Sequence, residues 1–231
     1  MLREAVLNSA FFGVLLCLVA LQIGLVLKKR FKIAIFNPLL IANIVVITVL
    51  VIFDIPYESF NASAQHVSFF LTPVTVCLAV PLYEQLDLLR RNFAAIISGL
   101  AGGVIGGLGS IYAMAVAFGI DHATYVTLLP KSVTAPIGMG ISEQLGGIVT
   151  ITVASIILTG IFGNVAGAFF LRLFRIKKPL AKGLALGCAS HAMGTARALE
   201  MGDVEGAMAS LAMAVTGLIT VVGASIFATL L

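Results

Sequence analysis

Long apolar stretches alternate with short basic clusters along this chain, as where Ala10 to Leu27 runs into Lys28-Lys29-Arg30. A stretch of roughly 20 apolar residues is what an α-helix needs to cross the hydrocarbon of a bilayer. Inside lipid every backbone N–H and C=O must be satisfied within the protein, and a helix does this segment by segment. The pattern therefore predicts an all-α polytopic membrane protein. Composition excludes the soluble alternative: 60% of the 231 residues are apolar and 10% are charged, whereas a soluble domain carries about 25% charged residues.

Six full spans are expected, at about 8–27, 36–53, 67–86, 93–118, 147–171 and 206–231. The first is expected to be a retained helix, because a basic cluster and not a small-residue cleavage site follows it. Asn37-Pro38 opens the second span, and Pro73 and Pro81 bracket a third interruption around Thr75. The formal charge of +4 and pI near 9.1 do not indicate nucleic acid, because eleven of the fourteen Lys and Arg lie in three short inter-helix segments. These are Lys28, Lys29, Arg30 and Lys32; Arg90 and Arg91; and Arg172, Arg175, Lys177, Lys178 and Lys182. Basic clusters of this kind mark cytoplasmic loops, so the N-terminus is expected outside and 54–66 and 119–124 are expected as outer loops. Cys17, Cys77 and Cys188 have neither disulfide-framework nor zinc-ligand spacing, and no cofactor or metal is implied.

Two segments do not fit as simple crossings. The span 147–171 ends in basic residues, so it starts outside, yet 125–146 before it also starts outside. Both ends of 125–146 then lie on one side, and the segment is expected to dip in and return. Pro130, Pro136, Gly138 and Gly140 are its expected helix breaks. The segment 183–205, with Gly194 as an expected break, reads as a second broken or re-entrant unit entering from the cytoplasm. A shift of 57 residues superposes Ala135 on Ala192, Glu143 on Glu200 and Thr159-Gly160 on Thr216-Gly217. Six spans plus two broken segments in an inverted repeat is an architecture of secondary transporters. The chain is expected to be one domain, 1–231, with N-terminal spans in 1–92 and a transport core in 93–231. Gly99, Gly102, Gly103, Gly106 and Gly107 form a small-residue track expected to allow close helix packing.

Lys131 and Arg197 are the basic residues left inside the broken segments. A cation in the membrane interior requires a counter-charge or a ligand. Half-helix N-termini add positive partial charge, so the pair suits an anion. Ser132, Thr134, Ser190 and Thr195 supply hydroxyls to orient it. Glu143, His191 and Glu200 are candidates for proton coupling or charge balance. Two other readings stand beside these. Glu143 and Glu200 neutralise Lys131 and Arg197 as internal ion pairs, and His191 is a hydrogen-bonded structural residue. No nucleophile with a matching base and no phosphate-binding glycine loop is present, so no enzyme is expected.

The segments Pro130-Lys-Ser-Val-Thr-Ala-Pro-Ile137, Gly146-Gly147, Lys182-Gly-Leu-Ala-Leu-Gly187 and Ala189-Ser-His-Ala-Met-Gly-Thr-Ala-Arg-Ala-Leu-Glu200 resemble the LrgB/CidB family over nearly the whole chain, with Asn37-Pro38 and Pro81-Leu-Tyr83 in agreement. The resemblance implies a bacterial inner-membrane protein with a small LrgA/CidA-type membrane partner. It implies two accounts of activity. One is holin- or antiholin-like control of murein hydrolase activity and cell lysis. The other is transport of small carboxylates, namely pyruvate or acetate in bacteria and glycolate or glycerate in the related plastid protein. A proton-coupled carboxylate transporter is the expected function. Homo-oligomerisation is left open.

Overall fold

The computed structural model describes residues 9, 11–31, 38–70, 73, 76–77, 79–84 and 86–231. Every regular element among them is a helix: α1 (Phe12–Phe31), α2 (Pro38–Ile52), α3 (Tyr57–Ser68), α4 (Ala79–Glu84), α5 (Leu86–Arg91), α6 (Phe93–Phe118), α7 (His122–Leu128), α8 (Ala135–Gln144), α9 (Val149–Leu173), α10 (Pro179–Leu199) and α11 (Asp203–Ala228). Of these, α1, α6, α9 and α11 are long and apolar enough to cross a membrane, and α2 is a shorter apolar helix. At 1.5 Å per residue the 26 residues of α6 extend about 39 Å, beyond the ~30 Å of hydrocarbon. Large apolar side chains such as Leu15, Ile47, Ile105 and Leu218 are exposed, which suits a protein whose outer surface meets lipid.

The chain forms two compact units, Met1–Cys77 and Leu78–Leu231. In the first, α1 packs on α2 and α3. Gly24 lies against the backbone of Pro38 and Gly13 against Ala64, approaches that a side chain would prevent. The Ser63 hydroxyl accepts the Gly13 N–H at 2.7 Å, satisfying a donor that the first turn of α1 leaves free. Two expectations change here. Residues 57–66, expected in an outer loop, form one helix with 67–68, expected to open the third span: Pro56 precedes it, Glu58 sits in its first turn, and buried Ser63 ties it to α1. Lys28, Lys29 and Arg30 belong to the last turn of α1, where cations favour the helix dipole. The expected span 67–86, with its interruption at Thr75, lies partly outside the described residues, as does Asn37.

The second unit contains two hairpins and three long helices, α6, α9 and α11. Helix α6 ends at Gly119, whose φ of 61° is the left-handed cap that glycine adopts without strain. Asp121 then caps α7, its carboxylate accepting from the Thr124 N–H at 3.0 Å and the Thr124 hydroxyl at 2.7 Å. The chain turns at 129–134 and returns as α8, so 125–146 is a hairpin of two short helices. Its base is clasped by three fully buried hydroxyls. Thr152 Oγ1 lies 2.7 Å from Ser142 Oγ and 2.9 Å from the Thr127 carbonyl, and Thr127 Oγ1 accepts the Ile148 N–H at 2.7 Å.

The second hairpin is concealed within α10. Ser190 and His191 leave helical geometry, dividing α10 into a first arm (179–189) and a second arm (192–199). The arms fold back on each other, because Gly194 lies against the Leu186 carbonyl, a residue that a straight helix would hold about 12 Å away. Gly187 in the first arm packs on Ala209 and Gly183 on Glu205, so that arm runs parallel to α11.

The inverted repeat is now visible in backbone geometry. The shift of 57 residues carries the start of α7, His122, to the start of α10, Pro179, and the start of α8, Ala135, to the start of the second arm, Ala192. Hairpin one has its base at the N-terminal end of α9. Hairpin two begins beyond the C-terminal end of α9 and climbs back along it, with Leu186 against Gly167 and Ser190 against Gly163. The two hairpins thus enter the unit from opposite ends.

Candidate functional site

Both tips converge on the middle of α9. Gly138, early in α8, packs on the Ile156 side chain, and His191 Nε2 lies 3.0 Å from the Ile156 carbonyl oxygen. That carbonyl is an acceptor, so the hydrogen bond makes Nε2 the protonated nitrogen of the imidazole. His191 has φ 43° and ψ −134°, a conformation costly for a residue with a side chain. Its partners hold it there: Thr195 Oγ1 donates to the His191 carbonyl at 2.9 Å, and Asn164 Nδ2 donates to the Met193 carbonyl at 2.8 Å. Gly160 and Gly163 of α9 leave room for the imidazole and for the Ser190 hydroxyl.

Between the tips and α6 lies a cavity of about 550 Å³. Hairpin one contributes Lys131 and Ser132, the first arm of α10 contributes Cys188 and Ala189, and α11 contributes Thr220. Gly99, Gly103 and Gly107 form part of the α6 wall, which is otherwise aliphatic. The cavity extends to Ala95 and Leu180, in the first turns of α6 and α10. Those turns follow Arg90-Arg91 and Lys177-Lys178 in sequence. Lys131 Nζ lies 3.2 Å from Ser132 Oγ, and among the described residues no acid forms an ion pair with it. The site therefore offers one cation, two hydroxyls and a thiol within apolar walls. A single compact anion with a small apolar body matches that chemistry.

The remaining sequence candidates sit elsewhere. Arg197 is not at a tip and does not line this cavity. It lies in the second arm, beyond the break, and pairs with Glu200 on the same turn, the geometry of the internal ion-pair reading. Ser190 faces Gly163 and lines a separate apolar cavity of about 260 Å³ with Phe162, Phe170 and Leu186. Thr195 is buried, its hydroxyl used on the His191 carbonyl. Thr134 precedes α8 as its N-cap, outside the cavity lining. Glu143 is exposed near the base of hairpin one. Of the expected helix breaks, Pro130 lies in the turn of hairpin one. Pro136 falls in the first turn of α8, and Gly138 and Gly140 are inside that helix, where one added methylene-sized space is what Gly138 supplies to Ile156. Gly194 is inside the second arm, and its small size permits the fold-back on Leu186; the break itself is at Ser190-His191.

The sequence reading passed over Cys188 and Thr220. Cys188 had a signal: the repeat shift of 57 residues carries Lys131 onto it. The glycine track gives the expected close packing at Gly103 and not at its other positions. Gly103 meets the Cys188 sulfur, Gly99 and Gly107 border the cavity, and Gly102 and Gly106 meet no described atom within 4 Å.

Comparison with known proteins agrees with the resemblance. Residues 17–230 match the LrgB-like family. The "Antiholin-like protein LrgB" of Bacillus mycoides (strain KBAB4) is 41% identical over 215 residues, covering 93% of this chain and 94% of that protein. Proteins of the same name from Bacillus cereus (strain B4264) and Bacillus anthracis (strain CDC 684 / NRRL 3495) are 40% identical over the same shares. No solved structure matches the chain.

Proposed function

We propose that this chain, which belongs to the LrgB-like family, is a secondary transporter of small carboxylate anions in the bacterial inner membrane, with its N-terminus outside. The observation that carries the proposal is Lys131: a lysine at a hairpin tip, without a described acidic partner, in a cavity between two hairpins that enter from opposite ends. A mid-membrane cation without a counter-ion is a site for an anionic solute. Lys131 binds the carboxylate, Ser132 and Thr220 hydrogen-bond its substituent, and Cys188 and the glycine wall of α6 limit its size. His191 holds the second tip in place through Ile156. Arg197 and Glu200 neutralise one another near the base of hairpin two. Rocking of the hairpins against the long helices exposes the cavity to each side in turn. The apolar walls favour pyruvate, acetate or glycolate over larger polyanions.

The test is uptake of labelled pyruvate, acetate and glycolate into liposomes containing this chain, with and without an LrgA/CidA-type partner. Saturable uptake lost in Lys131→Ala is the expected result; uptake unaffected by that substitution refutes the site. A second reading is favoured by the relatives' names: an antiholin-like protein acting on lysis through a pore-forming LrgA/CidA-type partner. It requires a stable complex on co-purification in mild detergent and no solute uptake by this chain alone.

A further inference from the structure

We infer that Lys131 is itself the proton carrier of the transport cycle: it takes up a proton with the carboxylate and gives the proton up when the site empties. The inference rests on the carboxylate-transport reading and extends it to the coupling ion. The groups around the amine decide it. The α6 wall presents Gly, Ala, Leu, Val and Ile alone; α10 presents Cys188 as its one titratable side chain; α11 presents Thr220; and the tip of hairpin one adds Leu129 and Ser132. Glu143 and Glu200, the carboxylates first suited to a coupling role, do not line the cavity, and Glu200 is engaged with Arg197. His191 points its ring at the Ile156 carbonyl and also lies outside the lining.

An ammonium group in an apolar cavity is stable when an anion neutralises it and costly when none does. The loaded site is therefore R–NH₃⁺ with R′–COO⁻. The empty site reaches its low-energy form when one N–H bond breaks, the electron pair stays on nitrogen and the proton passes to water with the departing anion. Both forms are neutral and both cross the membrane readily. A site left charged and empty does not, so net movement of anion is tied to one proton. Arginine separates these roles because its guanidinium stays protonated in proteins.

The experiment uses the full chain in liposomes with labelled pyruvate as probe. Exchange against internal pyruvate needs only the loaded carrier, whereas net uptake driven by an inward proton gradient needs the empty carrier to return. Wild type is expected to do both and to acidify the lumen by about one proton per pyruvate, read with a trapped dye. Lys131→Arg, in protein that elutes as wild type does, is expected to lose gradient-driven uptake more than exchange, lowering the ratio of net uptake to exchange by at least about tenfold. A wild-type ratio of net uptake to exchange in Lys131→Arg, or uptake by wild type without luminal acidification, would overturn the inference. Absence of both exchange and uptake in wild type, with or without an LrgA/CidA-type partner, would instead remove the transport reading beneath it.

Discussion

The packing of the second tip on α9 gives a sharp quantitative test at Gly160. A Cβ added there would lie 2.7 Å from His191 Cε1, 2.9 Å from Nε2 and 2.5 Å from Met193 Sδ. The methionine sulfur can swing away, but the imidazole is held by its bond to the Ile156 carbonyl. Restoring an ordinary contact of about 3.4 Å moves the ring by about 0.7 Å and stretches that bond from 3.0 Å to as much as about 3.7 Å, outside hydrogen-bonding range. A buried hydrogen bond lost or a core overpacked by one carbon costs about 1–3 kcal/mol. For a chain of this length that is about 2–12 °C in melting midpoint. Gly160→Ala should therefore lower the midpoint measured by size-exclusion or fluorescence melting in detergent, and uptake should fall with it. Gly106→Ala is the control, because an added Cβ there meets nothing within 4 Å; it should be neutral or stabilising, by up to about 1 kcal/mol. Equal melting of Gly160→Ala and wild type, or equal losses in the two variants, would refute the described approach of hairpin two to α9.

Other expectations follow from the same geometry. Thr152→Val keeps the shape but removes the hydroxyl between Ser142 and the Thr127 carbonyl, and should destabilise by about 1–3 kcal/mol in a thermal melt. His191→Gly should melt higher than His191→Ala, because both lose the imidazole bond but only alanine keeps the strain of φ 43°, worth about 1–3 kcal/mol; the reverse order would show that the tip is not strained. Arg197→Ala with Glu200→Ala should leave uptake within about fivefold of wild type, since a partly exposed pair contributes about 0–1 kcal/mol and neither residue lines the cavity.

The membrane class, the long helices of the second unit and both interrupted segments were legible because hydropathy, loop charge and Pro or Gly content act locally along the chain. The clash between two loop-charge assignments was enough to make 125–146 a hairpin. Where each side chain points was not legible, because that depends on helix phase and on neighbours distant in sequence. Lys131 and Arg197 looked equivalent as lone cations, yet one sits at a tip and the other is turned to Glu200 on its own arm. Gly194 drew attention as a breaker, whereas the break falls at two residues with side chains, Ser190 and His191, which α9 accommodates with Gly160 and Gly163. Helix α3 was not legible because most of its sequence, from Tyr57 to His66, is too polar to read as a span.

The arms of the hairpins are short: the ten residues of α8 reach about 15 Å, half the thickness of the hydrocarbon. Two half-length hairpins entering from opposite ends set each tip about half-way through the hydrocarbon. A unit charge carried through the whole membrane potential changes energy by about 2.3 kcal/mol per 100 mV, so a charged lysine tip moving toward either side would do part of that work on every turnover. A carrier whose loaded and empty forms are both uncharged avoids it, and its turnover would be indifferent to voltage.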